Sequence, residues 1–375
     1  MTTTDPVLAS IRDRVRAGER LNFEDGVALF RTSDPEALGA LANEVREKKN
    51  GNVAYYVINR HVNYSNICVD TCLFCAFAKR KGQEGGYEWS LDQIWHKTEN
   101  FEELGVREVH IVGGLHPDYP FQYYLDLVSG FKQRHPTVTV KAFTAVEIQY
   151  FTELTGKHYR EILADLKAAG LEMLPGGGAE IFSERVRKKI CRTKIDGAMW
   201  IDIHRLAHGM GIPTNCTMLY GHLETIEERV EHIMMLRGLQ DETGGLLSFI
   251  PLAFHPENTF LADLPKPTEE DHLRNIAVSR LLLDNVPHIK CYWIMSGIET
   301  AKKALRWGAD DIDGTVMEEK IYHMAGATTP QDLHRGYLEL MIHEAGRDPV
   351  ERDSFYNVIP RPTPRAGVKL PVIQP

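Results

Sequence analysis

No run of apolar residues in this 375-residue chain approaches the roughly 20 that a membrane-crossing helix needs. The N-terminal stretch MTTTDPVLASIRDRV also lacks the basic-then-apolar layout of a secretory signal. The expectation is therefore a cytoplasmic protein with no membrane span. A basic excess is absent too: 43 Lys and Arg face 52 Asp and Glu, a formal net charge of −9, which speaks against a nucleic-acid partner. Cysteine is scarce, six in all, too few to staple a chain of this length with disulfides. No low-complexity linker or internal repeat divides the sequence, and no glycine-rich stretch ends in the Lys-Ser/Thr of a phosphate-binding loop.

What is present is ordinary globular composition, 43% hydrophobic and 25% charged, in a chain long enough to bury a large core. Residues 1–52 carry apolar positions at helical spacing (Val27, Leu29, Phe30, then Leu38, Leu41, Val45) and read as a helical extension. From 53 onward, short apolar strands alternate with helical stretches. Strands are expected at 53–58, 62–67, 108–112, 138–148, 171–174, 214–219, 246–250 and 289–294, with a weaker one near 310–313. Helices are expected at 91–104, 123–134, 158–169, 198–210, 225–241, 269–285 and 299–307. Thr225 with Glu228 forms a capping-box pattern, and Gly105, Gly170 and Gly211 fall just past helix ends. This alternation implies a parallel sheet, and a count near eight favours a closed (β/α) barrel of the TIM type over residues 53–346. The segment 347–375, with VIPRPTPRAGVKLP, reads as an extended tail over the surface.

Three of the six cysteines crowd into eight positions: Cys68, Cys72 and Cys75. Their loop follows a strand, at the face where barrels build active sites. Three thiolates on a compact loop suit three corners of a [4Fe–4S] cluster and leave one iron open. A zinc site needs a fourth ligand; His61 lies upstream on the strand and no second Cys-x-x-Cys pair follows. Cys216 and Cys291 sit within apolar strands and read as core, and Cys191 ends a helix.

Other strand ends carry polar or glycine-rich groups. Gly113-Gly114 follows one strand, Glu147 closes the long strand at 138–148, and Pro175-Gly-Gly-Gly-Ala-Glu180 follows the fourth. Three consecutive glycines, Gly177 at their centre, suggest a close backbone approach to a ligand, with Glu180 beside it. Tyr220 and His222 follow the fifth strand and His255 the sixth, while Arg280 lies on the helix expected at 269–285. These four are candidate catalytic residues. His204 and His208 lie four apart on a helix, but without the Glu of a His-Glu-x-x-His site they read as ordinary helix surface.

Cys-x₃-Cys-x₂-Cys with Phe74 before the third cysteine resembles the signature of the radical S-adenosylmethionine superfamily. The resemblance implies that the open iron is chelated by the amino and carboxylate groups of S-adenosylmethionine. The reduced cluster then donates one electron into the sulfonium, releasing methionine and a 5′-deoxyadenosyl radical. It also implies that Gly113 and Gly114 meet the methionine amino group, although the acidic residue usual after this pair is Leu115 here. Phe74, Glu147, Gly177 and Glu180 are the further cofactor-binding candidates.

Longer segments (INRHVNYSNICVDTCLFCAFAK, EVHIVGGLHPDYPFQYYLDL, KAFTAVEI, LPGGGAEIF, FIPLAFHPENT, DDIDGTVMEEKI) resemble the aminodeoxyfutalosine synthase family of the futalosine route to menaquinone. That likeness implies a transferase that adds the adenosyl radical to the enol ether of 3-[(1-carboxyvinyl)oxy]benzoate. Rearrangement and loss of CO2 or bicarbonate follow, giving 6-amino-6-deoxyfutalosine. It implies a small substrate with two carboxylates and an electron donor such as flavodoxin or ferredoxin. Two alternatives stay open on the sequence: a sibling enzyme (dehypoxanthine futalosine cyclase or the deazaflavin-precursor synthase subunit), and a non-enzymatic iron–sulfur or zinc binding module.

Overall fold

The computed structural model describes residues 3–360. Nine strands run through it: β1 (Val53–Val57), β2 (Asn59–Val62), β3 (Glu108–Ile111), β4 (Thr139–Ala142), β5 (Thr214–Tyr220), β6 (Leu246–Ala253), β7 (His288–Ile289), β8 (Asp311–Gly314) and β9 (Asp348–Glu351). Every ladder between them is parallel. Three sheets, β8-β1-β9, β2-β3-β4 and β5-β6-β7, are joined by the parallel bridges Lys141–Met173, Leu174–Thr214 and Lys290–Asp311. With β1 and β2 separated only by Ile58, these contacts close a ring of eight staves, the fourth reduced to Met173 and Leu174. The expected (β/α) barrel is the observed fold.

Two strand boundaries differ from expectation. The segments at 53–58 and 62–67 do not make two strands; 53–62 is one stave bent at Ile58. Its first half pairs with β8 and β9, its second with β3, and the chain then leaves the sheet. The strand expected at 138–148 ends at Ala142. Phe143 takes φ 60°, and Thr144 caps the helix Ala145–Thr155 by accepting the Glu147 N–H, with Glu147 reaching back to the Thr144 N–H. Glu147 is thus on the first turn of a helix and does not close a strand. The Thr-x-x-Glu capping box overrides the apolar run that resembled a strand.

The leading segment forms three helices, Pro6–Arg16, Phe23–Arg31 and Pro35–Asn50. Asp34 caps the third and Pro35 starts it, and it packs along the helix Glu269–Leu282 on the barrel's outside. At the other end, β9 pairs Val53–Tyr56 in parallel. The early part of the segment expected as a surface tail is therefore an added strand, and its neighbour Arg352 is 1% exposed and bonded to Asp311 Oδ2 at 2.7 Å. Residues 361–375 of that tail lie outside the described residues.

Apolar side chains fill the space between staves and helices, but the barrel's interior is partly ionic. Lys141 pairs with Glu108 at 2.5 Å, Lys290 lies 3.6 Å from Asp313, and Arg352 binds Asp311. Charges at this depth persist only in pairs, because an isolated one loses its hydration without recompense.

Candidate active site

Past the C-terminal ends of the staves lies one cavity of about 310 Å³. The chain leaving β2 forms its wall. Asn66 ties this loop to a later turn, donating to Gly85 O at 2.9 Å and accepting the Tyr87 N–H at 2.7 Å. Cys68 N–H bonds Lys79 O at 3.0 Å and Lys79 N–H bonds Asn66 O at 2.8 Å, closing the loop at its root. Within it the Cys75 N–H reaches Cys72 O at 3.2 Å, and Leu73 is held to Ile190 and Phe260 through its backbone. Cys68, Cys72, Phe74 and Cys75 all line the cavity. Cys191, Cys216 and Cys291 are buried elsewhere as free thiols.

The donor set fits a cluster. Burial pushes all three loop thiols up, and holding a cluster would require them as thiolates. Lys194 stands beside them, its ammonium 5.2 Å from the Phe74 ring centroid and 2.6 Å from Glu180 Oε1, offering positive charge near thiolates that form. The three cysteines share one wall of the cavity, as the ligands of a single cluster would need to.

Facing the loop are the other cofactor-binding candidates, Gly113, Gly114, Glu147, Gly177 and Glu180, all on the cavity. A Cβ on Gly114 would sit 2.2 Å from Ile67 O, and one on Gly113 would meet the Tyr64 ring at 2.5 Å. The glycine pair thus lets this stave end press against the root of the cysteine loop. Leu115 N–H then points to Cys68 Sγ at 3.4 Å. A carboxylate nonetheless reaches the pair from the helix after β4: Glu147 Oε1 accepts from Gly113 N at 3.2 Å and from Tyr64 OH at 2.8 Å. Desolvation raises the Glu147 pKa against these hydrogen bonds.

Of the four candidate catalytic residues, the structure brings only His255 to the cavity. Tyr220 points outward, its hydroxyl 2.5 Å from His272 Nδ1. His222 is wholly buried in its own turn, bonded to Leu219 O at 3.0 Å and to Glu224. Arg280 is 0% exposed on the barrel's outer side, bonded to Gly308 O at 2.8 Å, to Pro287 O and to the Asp310 carboxylate. These three are bonded into the fold and do not line this cavity. His204 is likewise not helix surface: it is buried, stacked on Trp200 at 3.6 Å.

The sequence reading missed His61, Lys141, Tyr292 and Tyr322, which also line the cavity. His61 and Lys141 lie on the staves β2 and β4. A polar residue at an inward position of a strand was the available signal.

Residues 62–236 match the family described as the Radical SAM superfamily, and 243–365 match the CofH/MqnC C-terminal region. The aminodeoxyfutalosine synthase of Thermus thermophilus is 51% identical over 359 residues, covering 95% of this chain and 96% of its own. The chain belongs to the aminodeoxyfutalosine synthase family of radical S-adenosylmethionine enzymes. Streptomyces coelicolor provides an internal contrast for that family. Its aminodeoxyfutalosine synthase is 44% identical, covering 93% of both chains, whereas its cyclic dehypoxanthine futalosine synthase is 38% identical, covering 93% of this chain and 88% of its own. The crystal structure of methylornithine synthase superposes with TM-score 0.74 at 18% identity, over 90% of this chain and 97% of that one, and shows the shared fold. Among the described residues of this family member, no helix is long and apolar enough to cross a membrane.

Proposed function

We propose that this chain joins the adenosyl part of S-adenosylmethionine to 3-[(1-carboxyvinyl)oxy]benzoate, giving 6-amino-6-deoxyfutalosine for menaquinone synthesis. The observation that carries this reading is the 51% identity to an aminodeoxyfutalosine synthase along nearly the whole of both chains. Cys68, Cys72 and Cys75 would hold a [4Fe–4S] cluster, which when bound would supply the electron for cleavage of the sulfonium.

The protein's own residues bind, orient and exclude. Gly113, Gly114, Gly177 and Glu147 form the side of the cavity beside the cysteine loop, where S-adenosylmethionine would lie. Tyr64 and Thr144 fix the Glu147 carboxylate through bonds of 2.8 and 2.7 Å, so its free edge has one orientation. Phe74 and the ion pair Lys194–Glu180 close the loop side against water. His255 lines the cavity and presents a hydrogen-bond acceptor to a donor group of the substrate or cofactor. Its Nε2–H is spent on Met295 O at 3.1 Å, and Nδ1 is buried with no partner among the described residues. An external one-electron donor, a flavodoxin or ferredoxin of the cytoplasm, completes the cycle. The barrel at 53–346 carries the chemistry and the helices before it brace its outer wall.

Anaerobically reconstituted protein, reduced and given S-adenosylmethionine with the carboxyvinyl ether, should yield the adenosyl adduct. Free 5′-deoxyadenosine without adduct, or cyclisation of dehypoxanthine futalosine in its place, would refute the assignment in favour of a sibling activity.

A further inference from the structure

On the cavity's far side from Glu147 and Gly177, two buried polar groups from different staves have no partner among the described residues: His61 Nε2, on β2, and the Tyr292 hydroxyl, just past β7. Both side chains line the cavity, and their residues are 6% and 7% exposed. Native structures rarely leave such groups unpaired, since each forfeits its hydration without a replacement bond. Two orphans on residues of one wall point to a polar ligand group. The surroundings define the rest of the ligand. The His61 and Tyr292 rings are parallel within 5°, with centroids 6.3 Å apart. Tyr322 meets Tyr292 edge-on at 5.9 Å and His255 at 5.1 Å. Flat faces and an edge of this kind accommodate an arene.

The acidic groups nearby do not compete for the ligand. The Glu319 carboxylate is taken up by the Tyr322 and His323 N–H groups and the His323 ring. Asp313 faces Lys290 and accepts from Asn59 Nδ2 at 3.3 Å.

We infer that His61 and Tyr292 form an aryl-carboxylate subsite: the arene lies against the Tyr292 and Tyr322 rings, and the Tyr292 hydroxyl and His61 Nε2 bond its carboxylate. The assignment rests on the reaction proposed above, whose substrate carries two carboxylates. It separates them, placing the ring carboxylate at His61 and Tyr292 and leaving the enol-ether carboxylate on the side of the cysteine loop. The enol ether is thereby turned toward the cysteine loop, where the adenosyl group arrives.

The test is calorimetric titration of the reconstituted holoenzyme with two ligands, 3-[(1-carboxyvinyl)oxy]benzoate and 2-phenoxyacrylate, the same ether without the ring carboxylate. Wild-type protein should bind the dicarboxylate at least about ten-fold more tightly, the least expected of a hydrogen bond to a charged group. Tyr292→Phe, which removes one oxygen, should weaken the dicarboxylate on the order of ten- to a hundred-fold while changing phenoxyacrylate binding less than about three-fold. His61→Leu should show the same selectivity. Equal weakening toward both ligands, no weakening toward either, or a wild type indifferent to the ring carboxylate would each overturn the subsite. If the selective loss is seen but turnover gives no adenosyl adduct, the subsite stands and the proposed reaction falls.

Discussion

Cys68, Cys72 and Cys75 differ from Arg280 in how a residue's role is written into sequence. Three thiols at fixed short spacing announce a cluster because the ligand geometry is local. Replacing any one of them by Ser or Ala should abolish S-adenosylmethionine cleavage and lower bound iron and acid-labile sulfide, while the far-ultraviolet circular dichroism stays near wild type; a single variant that still turns over would contradict the assignment. Arg280, by contrast, reads in the sequence as a candidate catalytic residue and is a structural cation. Which face of the helix Glu269–Leu282 it occupies depends on Asp310, thirty residues away and on another element. Because both partners are 0% exposed, Arg280→Met strips the buried Asp310 carboxylate of its bonded guanidinium. A loss of about 3–5 kcal/mol in unfolding free energy is expected, read by urea denaturation. Activity per folded molecule should change little. A catalytic role would give the reverse pattern.

At the scale of elements, the helices and most staves followed from periodicity, while the misjudged stretches were those where one residue redirects the chain. Thr144 converts an apolar run into a helix start, and the bend at Ile58 splits one stave between two sets of partners. The segment after β8 is a third case. Val316, Met317 and Glu318 all hold positive φ, at 68, 39 and 61°, a conformation that disfavours side chains. Asn59 enforces it, accepting the Val316 N–H at 2.7 Å while its backbone carbonyl takes the Thr315 hydroxyl at 2.7 Å. This turn delivers the short helix Ile321–Met324 over the cavity, with Tyr322 facing in. His323 pins the helix through Glu319 Oε2 at 3.0 Å and Thr329 O at 2.9 Å. The bond to Glu319 raises the His323 pKa from 6.5 to about 9. Since the folded value is the higher one, this contribution is full below about pH 6.5, declines as pH rises, and is gone above about pH 9. An NMR titration of the His323 imidazole should give a midpoint near 9 that falls toward 6.5 in Glu319→Gln; a midpoint near 6.5 in both proteins would contradict this pH dependence.

Across the whole molecule, the barrel was legible because strand–helix alternation leaves few closed parallel arrangements, and the cavity's position followed from the barrel. Its lining was only half legible. Residues on loops, such as the cysteines and the glycine runs, could be placed because every loop at that end converges on one mouth. Inward residues on the staves, His61 and Lys141 among them, could not, since a strand's two faces are told apart only after the ring is closed. The last strand was missed for a related reason: β9 is four residues long and gains its place solely from β1, nearly three hundred positions earlier.

The ionic floor beneath the cavity bears on how the molecule responds to heat. Unfolding a barrel filled with branched apolar side chains exposes surface that raises heat capacity, whereas exposed polar and charged surface lowers it. A lumen built on Lys141–Glu108, Lys290–Asp313 and Arg352–Asp311 therefore diminishes the heat-capacity increment relative to an all-apolar barrel of the same length. The hydration such charges forgo is also worth less as temperature rises. Scanning calorimetry should accordingly trace a flatter stability curve, broad in temperature and shallow at its summit.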